Sequence, residues 1–225
     1  MTVVVMNAWQ ILFKGGPMMW PILLLSIVAL AIGIDRLVFL ASAERGLSSE
    51  KETLLASLRQ GNLKETLRLC EEGRGMLGAI LKAGILKFGS SRELVKGSME
   101  EVFDQTAGQL RKHMDVLALI VNAAPLMGLL GTVNAMVVVF HAVQIRSNVL
   151  NPLTAGELAS GIWQALLTTA AGLLVGILSY AVHSFCAMRV NAAVSFIERS
   201  MTEMTNVLGQ LSELKRTVQE QAHEE

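Results

Sequence analysis

The sequence is poor in cysteine and has no excess of charge of either sign. Its 225 residues include two cysteines, Cys70 and Cys186, and 19 basic side chains balance 19 acidic ones. Cys70 lies in a charged segment and Cys186 at the end of an apolar run, so we interpret both as free thiols in a reducing compartment. Two cysteines without a nearby histidine pair provide no metal site. A formal net charge of +0 favours neither nucleic acid nor an acidic partner.

Asp, Glu, Lys, Arg and His are absent from two long apolar runs, at residues 116–140 and 158–180. A helix needs about 20 residues to cross a bilayer, so each run predicts a membrane span. A third apolar run, at residues 17–40, begins near Trp20, an aromatic residue typical of the membrane interface. No alternation typical of strands occurs along the chain. We therefore predict an all-α membrane protein with three transmembrane helices.

The segment at residues 41–114 predicts three or four soluble helices. A polar residue three positions before a glutamate is the pattern of a helix-capping box. It occurs at Ser49, Asn62 and Ser90. Glycines typical of helix ends follow at Gly61, Gly73 and Gly89. The last of these helices is predicted to start near residue 92 and to continue through residue 112 into the second span.

The two ends of the chain and the second connection have their own patterns. Residues 188–225 predict an amphipathic helix that packs against the chain's own soluble part or forms a seam between copies, and the pattern favours neither. Residues 1–16 predict an interfacial helix, because their apolar run is too short to span a bilayer. A signal peptide is disfavoured, because the run has no basic segment before it and no small-residue cleavage site after it. Residues 141–157 predict a polar connection with a turn at Asn151-Pro152. The apolar stripe of the C-terminal helix consists of Phe196, Ile197, Met204, Leu208, Leu211, Leu214 and Val218.

Basic residues determine the predicted orientation. Twelve of the 19 Lys and Arg residues lie between residues 45 and 112, and four lie between residues 189 and 216. Three spans leave these two segments on the same side, and basic segments stay cytoplasmic. At the end of the first span we interpret Asp35 and Arg36 as a snorkelling pair that sets the depth of the helix. The predicted parts are a periplasmic 1–16, spans at 17–40, 115–140 and 158–187, a cytoplasmic 41–114, a periplasmic 141–157 and a cytoplasmic 188–225.

Small residues recur at helical spacing on the second and third spans. Such stripes let helix backbones approach each other closely. Pro125 lies beside the first stripe and removes one backbone hydrogen bond there. The helix-packing residues predicted on the second span are Ala124, Pro125, Gly128, Gly131 and Ala135, and those on the third are Gly161, Ala165, Gly172 and Gly176.

Four polar side chains lie on or beside these stripes, at Thr132, Gln164, Thr168 and Thr169. Threonine hydroxyls commonly bond to the carbonyl one turn back, so packing explains a single threonine more readily than a pore. A buried amide needs a partner or water, which favours a functional or interfacial role for Gln164. Gln164 and Thr169 point about 140° apart on an ideal helix. We therefore expect Gln164 and Thr168 to share a face and Thr169 to face a neighbouring subunit or the second span.

The two polar spans resemble the paired signature of the MotA/TolQ/ExbB proton-channel family. The matching segments are APLMGLLGTV at residues 124–133 and GIWQALLTTAAGL at residues 161–173. The Asp35-Arg36 pair and the ILKAGI run at residues 80–85 follow the family's order of parts. A chain with three spans is similar to the TolQ/ExbB branch, and the resemblance covers residues 17–200.

This resemblance implies a pentamer whose second and third spans line a central pore. The pore is expected to hold the single membrane helices of two ExbD/TolR-like subunits, and each helix contributes an aspartate that takes up and releases a proton. The work then passes to a TonB- or TolA-like protein in the periplasm. Thr132 and Thr169 match the family's threonines, whereas many members have glutamate at the position of Gln164. The ion path implied by the resemblance contains Thr132, Gln164, Thr168 and Thr169.

The location implied is the bacterial inner membrane, in contact with lipid and without a cofactor, a metal or nucleic acid. Neutral hydroxyl and amide oxygens can also coordinate Na⁺, so a sodium-coupled motor of the same family stays open. A structural membrane scaffold whose polar stripes only pack helices is the alternative from another class. No nucleophile with a nearby base and no phosphate-binding glycine loop occurs, which argues against an enzyme.

Overall fold

The structure is a computed structural model that describes residues 14–73, 75–146 and 154–224, without the side chains of residues 44, 45, 218–220 and 222–224. All regular elements in this part of the chain are helices. Three helical stretches are long and apolar enough to cross a membrane, within α1, within α4 and α5 together, and within α6. The predicted all-α class with three apolar spans is therefore confirmed. The helices are α1 (Met19–Arg59), α2 (Leu63–Gly73), α3 (Met76–Leu86), α4 (Arg92–Arg111), α5 (Met114–Arg146) and α6 (Ala155–Glu224).

Side chains cap two of the helices that the sequence predicts. Ahead of α2, Asn62 Oδ1 accepts a hydrogen bond from the Glu65 backbone N–H at 3.2 Å. Ahead of α4 the cap is Ser91, one residue later than Ser90, and its hydroxyl accepts from the Leu94 N–H at 3.4 Å. Each cap satisfies one backbone donor that has no partner within its helix.

The predicted helix start at Ser49 is wrong, because α1 passes through this residue without interruption. Leu47, Leu54 and Leu58 are 4%, 3% and 0% exposed. Their spacing of seven and four residues continues one buried stripe across the proposed cap. A capping pattern inside a continuous apolar stripe does not start a new helix, because tertiary packing holds the turn helical.

The predicted continuous helix from residue 92 into the second span is also wrong. α4 ends at Arg111 and α5 begins at Met114. Between them His113 has a φ of +63°, a left-handed conformation that is uncommon for residues other than glycine. The His113 carbonyl accepts from the Leu117 N–H at 3.2 Å and so starts the hydrogen-bond ladder of α5. No glycine or proline lies within four residues of His113 in the sequence.

The start of α6 has a capping box that the sequence contains and that the predictions missed. Thr154 Oγ1 accepts from the Glu157 N–H at 3.3 Å, and Glu157 Oε2 accepts from the Thr154 N–H at 2.9 Å. Arg146, at the end of α5, lies 2.8 Å from Glu157 Oε1. The hydrogen bond from the Thr154 backbone, followed by that from Arg146, lowers the pKa of the Glu157 carboxyl.

Two sequence predictions fall largely on residues outside the described part. They are the interfacial helix at 1–16, of which residues 1–13 are not described, and the turn at Asn151-Pro152.

The chain divides into two compact units. The first, called here the apolar unit, consists of Met1–Arg36 and His113–Cys186, and the second, the charged unit, consists of Leu37–Lys112 and Ala187–Glu225. In the apolar unit a core cluster of Ala29, Leu117 and Ile120 packs with Leu25, Val28, Ile32 and Val182. The largest buried side chains of the charged unit include Leu58, Leu77, Ile80, Leu81, Met99, Leu110, Ile197, Met204 and Leu208.

The apolar stripe of α6 packs within the charged unit. Ile197, Met204 and Leu208 are at most 1% exposed, whereas Leu214 is 62% exposed. Beside this stripe Glu203 forms ion pairs with Lys51 at 2.9 Å and Arg59 at 2.8 Å. Of the two alternatives left open by the sequence, packing against the chain's own soluble part therefore holds for the stripe as far as residue 208. Phe196 and Leu211 are half-buried, and the side chain of Val218 lies outside the described set.

Candidate functional site

Helices α5 and α6 contact each other backbone to backbone. A Cβ atom added at Gly172 would lie 2.6 Å from the Ala124 carbonyl oxygen and 2.8 Å from the Gly128 Cα. A Cβ atom at Gly128 would lie 3.1 Å from the Thr168 carbonyl oxygen. Both glycines are buried, and Ala124 is 0% exposed. The close approach requires these small residues, as is common where helices pack in a membrane.

The same contact continues at both ends of the stripe. A Cβ atom at Gly176 would lie 2.7 Å from the Pro125 ring, so the proline occupies space that a larger residue would fill. At the other end Gly161 lies against the Val139 side chain. α5 remains helical through Pro125. The remaining small residues, Ala135 and Ala165, are 5% and 3% exposed.

Two threonine hydroxyls meet at this helix pair. Thr169 Oγ1 donates to the Gly128 carbonyl oxygen at 3.0 Å and lies 3.4 Å from Thr132 Oγ1. Thr132 Oγ1 in turn donates to the Leu129 carbonyl oxygen at 2.6 Å. Each hydroxyl has one proton, and each proton has a backbone acceptor. The pair therefore presents oxygen lone pairs to an approaching group, which suits a hydrogen-bond donor or a cation.

Thr168 has a different environment from Thr169. It is 1% exposed, and its hydroxyl lies 2.9 Å from both the Gln164 and the Ala165 carbonyl oxygens. A Cβ atom at Gly131 would lie 2.8 Å from the Thr168 Cβ and Oγ1 atoms. Thr168 thus fills the space beside a glycine of α5. Of the two threonines, Thr169 is the one whose hydroxyl bonds to the second span, in agreement with one of the two orientations expected for it.

Gln164 is half-buried, and its side chain reaches the turn that precedes α1. A Cβ atom at Gly16 would overlap the Gln164 amide nitrogen and would lie 2.9 Å from the amide carbon. Gly16 has a φ of +74°, which few residues other than glycine adopt. The Thr132 and Thr169 hydroxyls, by contrast, donate to backbone carbonyl oxygens of α5. The contact between Gln164 and Gly16 joins residues 148 positions apart, and no sequence signal pointed to it.

Asp35 and Arg36 form an ion pair in which the arginine is the buried member. Arg36 Nη2 lies 3.0 Å from Asp35 Oδ2, and the two side chains are 7% and 58% exposed. Arg36 Nη2 also lies 3.4 Å from His113 Nδ1, at the break between α4 and α5. The guanidinium is therefore enclosed by protein in the apolar unit, and His113 is a neighbour that the sequence did not reveal.

A second polar cluster lies in the charged unit, around the start of α3. Glu50 Oε1 accepts from the Gly78 N–H at 2.6 Å, and Gly75 leaves room for the carboxylate. Burial raises the pKa of Glu50, opposed by the hydrogen bonds from Gly78 and Leu77. Burial, with a smaller contribution from Glu50, raises the pKa of the nearby Cys70 thiol to about 11. No group of three or more metal-ligating side chains occurs among the residues that the structure describes.

The fold and this geometry define a multi-pass membrane protein built on a tightly packed helix pair with a polar hydroxyl pair at its contact. A model of the MotA/TolQ/ExbB proton channel family matches residues 72–199. The chain is 31% identical over 214 residues to biopolymer transport protein ExbB-like 1 of Synechocystis, with 94% of this chain and 80% of that protein covered. The chain belongs to the MotA/TolQ/ExbB proton channel family, in its ExbB-like branch.

Two further relatives have the same type of name. An ExbB homolog of Methanothermobacter thermautotrophicus is 29% identical over 151 residues, which are 67% of this chain and 51% of that protein. The biopolymer transport protein exbB1 of Vibrio cholerae is 25% identical over 191 residues, which are 83% of this chain and 82% of that protein.

Proposed function

We propose that this protein is the pore-forming subunit of an ion-driven motor in the bacterial inner membrane. Five copies surround the single membrane helices of two ExbD/TolR-like subunits, with α5 and α6 of each copy facing the pore. The family membership supports this function, and the tight α5–α6 contact supplies a firm wall for a pore. The chain itself performs no catalysis.

The observation that carries this proposal is the hydroxyl pair of Thr132 and Thr169. Both protons have backbone acceptors, so the pair offers lone pairs and no free donor. No Asp, Glu, Lys, Arg or His occurs at residues 116–140 or 158–180. A wall of this kind accepts a hydrogen bond from a protonated carboxyl but does not hold the proton itself. The group that titrates is therefore the partner's aspartate.

The orientation proposed for the chain follows from its basic residues. The N-terminus and the 141–157 connection are periplasmic, and the basic segments at 41–114 and 188–225 are cytoplasmic. A TonB- or TolA-like protein in the periplasm then receives the mechanical work through the ExbD/TolR-like subunits.

The test is ion flux in vesicles that contain this protein together with a single-span partner encoded beside it. Thr132→Val and Thr169→Val remove the hydroxyls at nearly constant volume. We expect each to reduce proton flux by up to about tenfold, because a hydrogen bond between neutral groups is worth roughly 0.5–1.5 kcal/mol. Thr132→Ser keeps the hydroxyl and should retain flux. Thr53→Val, in the charged unit, removes an exposed hydroxyl bonded to the Ser49 carbonyl and serves as a matched control.

Native mass spectrometry of the same preparations measures the number of copies. A complex with five copies and two partner subunits is expected. Unchanged flux in both valine variants, with assembly intact, would contradict the pore role and would favour the structural scaffold.

A sodium-coupled motor is the second candidate, because hydroxyl oxygens can coordinate Na⁺ together with one carboxylate. Imposing a sodium gradient at constant pH separates it from proton coupling. Flux that follows the sodium gradient and ignores the pH gradient would assign Na⁺ as the coupling ion.

A further inference from the structure

We propose that Gln164 is a positioning residue that fixes the longitudinal register of α1 on α6, and that it does not bind the transported ion. Its side chain runs over the backbone of Gly16, where an added Cβ would meet the amide nitrogen, the amide carbon at 2.9 Å and the Cγ atom at 3.5 Å. Any other residue at position 16 would place its Cβ on the amide nitrogen of Gln164, so this contact requires glycine there.

The site of this contact is the point where α1 begins. The Gly16 carbonyl accepts from the Met19 N–H at 3.1 Å, which forms the first turn. Met19 is 5% exposed and Ile22 is 2% exposed, so the buried face of α1 starts directly after the turn. A residue that holds Gly16 in place therefore determines where this face lies along α6.

A second close contact between the same helices supports the assignment of a register. A Cβ atom at Gly33 would lie 2.9 Å from the Val182 Cγ1 atom. The two contacts are 17 residues apart on one side (16 to 33) and 18 residues apart on the other (164 to 182). Residues 19–33 and 164–182 are helical and rise by about 1.5 Å per residue, so two contacts that advance together along both segments fit helices that run in the same direction. Gln164 and Val182 thus fix α1 at two levels.

The amide also lies apart from the hydroxyl pair. Thr169 follows Gln164 by five residues, which is about 7.5 Å along a helix axis and 140° around it. Thr169 bonds to Gly128 on α5, whereas Gln164 contacts the turn before α1. The two side chains therefore act on different neighbours, and a neutral amide is sufficient for a positional role.

The experiment is a double-mutant cycle of Gly16→Ala and Gln164→Ala, measured as the thermal midpoint of the purified protein, without any partner. Gly61→Ala is the matched control, because Gly61 has a φ of +75° and its added Cβ would meet only Leu211, at 3.8 Å. We expect Gly61→Ala to lower the midpoint by about 2–4 °C, the usual effect of roughly 1 kcal/mol in a protein of this size. Gly16→Ala should lower it at least twice as far, and adding Gln164→Ala should recover the part of this loss that comes from the clash with the glutamine side chain.

Two results would overturn the assignment. The first is a Gly16→Ala midpoint equal to that of Gly61→Ala. The second is a Gly16→Ala protein that fails to fold and is not recovered by Gln164→Ala. Gln164→Met adds an independent readout, because it keeps the length of the side chain and removes its polar atoms. Flux with the partner should be retained in this variant, and a tenfold loss at an unchanged midpoint would make Gln164 an ion-path residue.

Discussion

The core of the charged unit and the α5–α6 contact of the apolar unit bury different kinds of residue. In the charged unit the buried side chains are large, and Leu58, Leu81 and Met204 are each 0% exposed. In the apolar unit the contact between α5 and α6 consists of glycine, alanine and threonine, while Leu126 and Leu166 are 64% and 60% exposed. Both patterns repeat with the period of a helix, so periodicity alone does not distinguish them.

The difference teaches what drives packing in each unit. In water, burying a large apolar side chain is the main gain of folding. In lipid a leucine gains little by leaving the hydrocarbon, so helices associate through close van der Waals contact and interhelical hydrogen bonds. The buried stripe of the charged unit therefore consists of its most apolar side chains, whereas the stripe at the α5–α6 contact of the apolar unit consists of its smallest side chains.

The largest effect is expected from enlarging a residue at the α5–α6 contact. Gly172→Leu would force a side chain into the Ala124 carbonyl and the Gly128 backbone, neither of which can move aside by a side-chain rotation. We expect a loss of more than about 3 kcal/mol, and hence little folded protein after purification. Gly97→Leu is the control, since an added Cβ at Gly97 meets nothing within 4 Å. An equal yield of the two variants would contradict the backbone contact.

The next largest effect is expected from truncating a large residue of the charged unit. Leu81→Ala leaves a cavity at a fully buried position and should lower the free energy of unfolding by about 2–5 kcal/mol. Leu94→Ala, at a residue that is 60% exposed, should change it by less than about 0.5 kcal/mol. Chemical denaturation followed by circular dichroism measures both. Similar losses in the two variants would mean that the core of this unit lies elsewhere.

A smaller effect is expected from the carboxylate at the start of α3. Glu50→Ala leaves the Gly78 N–H without its acceptor and should cost about 1–3 kcal/mol, measured as a lowered thermal midpoint. Glu50→Gln retains an oxygen acceptor and should cost less.

The stability difference between the wild type and Glu50→Gln should depend on pH with a defined sign. Burial raises the pKa of Glu50 in the folded state, so the unfolded chain loses its proton first as the pH rises. The wild type should therefore lose stability relative to Glu50→Gln as the pH rises above 4.5, the ordinary value for this carboxyl. A relative stability that increases over this range would show that hydrogen bonds to the charged form outweigh its burial.

The smallest effect concerns reactivity alone. With the pKa of its thiol raised to about 11, Cys70 is protonated at neutral pH. In a Cys186→Ser protein, alkylation of the folded chain should be slow at about pH 8, where an ordinary thiol of pKa about 8.5 already reacts. The rate should rise until about pH 11, and urea-unfolded protein provides the reference rate. Equal rates for folded and unfolded protein at the lower pH would contradict the burial of Cys70.

Local patterns predicted most of the helices, because their signals are confined to a few residues. Asn62 caps α2 as expected, and the apolar runs predicted the spans. Ser49 has the same local pattern and starts no helix, because buried leucines on either side keep α1 continuous. Conversely, the helix breaks at His113, in a left-handed conformation, without a glycine or proline at the break.

For the candidate site, the sequence predicted which residue types are present but not which partners their side chains have. The small residues and threonines of the two stripes are visible in the sequence. Their pairing is not, because the bond between Thr169 and Gly128 depends on the register of two helices. The contact of Gln164 with Gly16 and that of Arg36 with His113 likewise join distant segments. Side chains of this kind acquire their partners only through tertiary structure.

The backbone contact between α5 and α6 has a mechanical consequence. Long side chains can change rotamer and let one helix slide over another, but a glycine Cα against a carbonyl oxygen has no such freedom. The two helices must therefore tilt or turn together, as one rigid unit. Any movement of this pair against other helices falls on the surfaces where leucine and valine side chains face outward, since only these can rearrange without separating the pair.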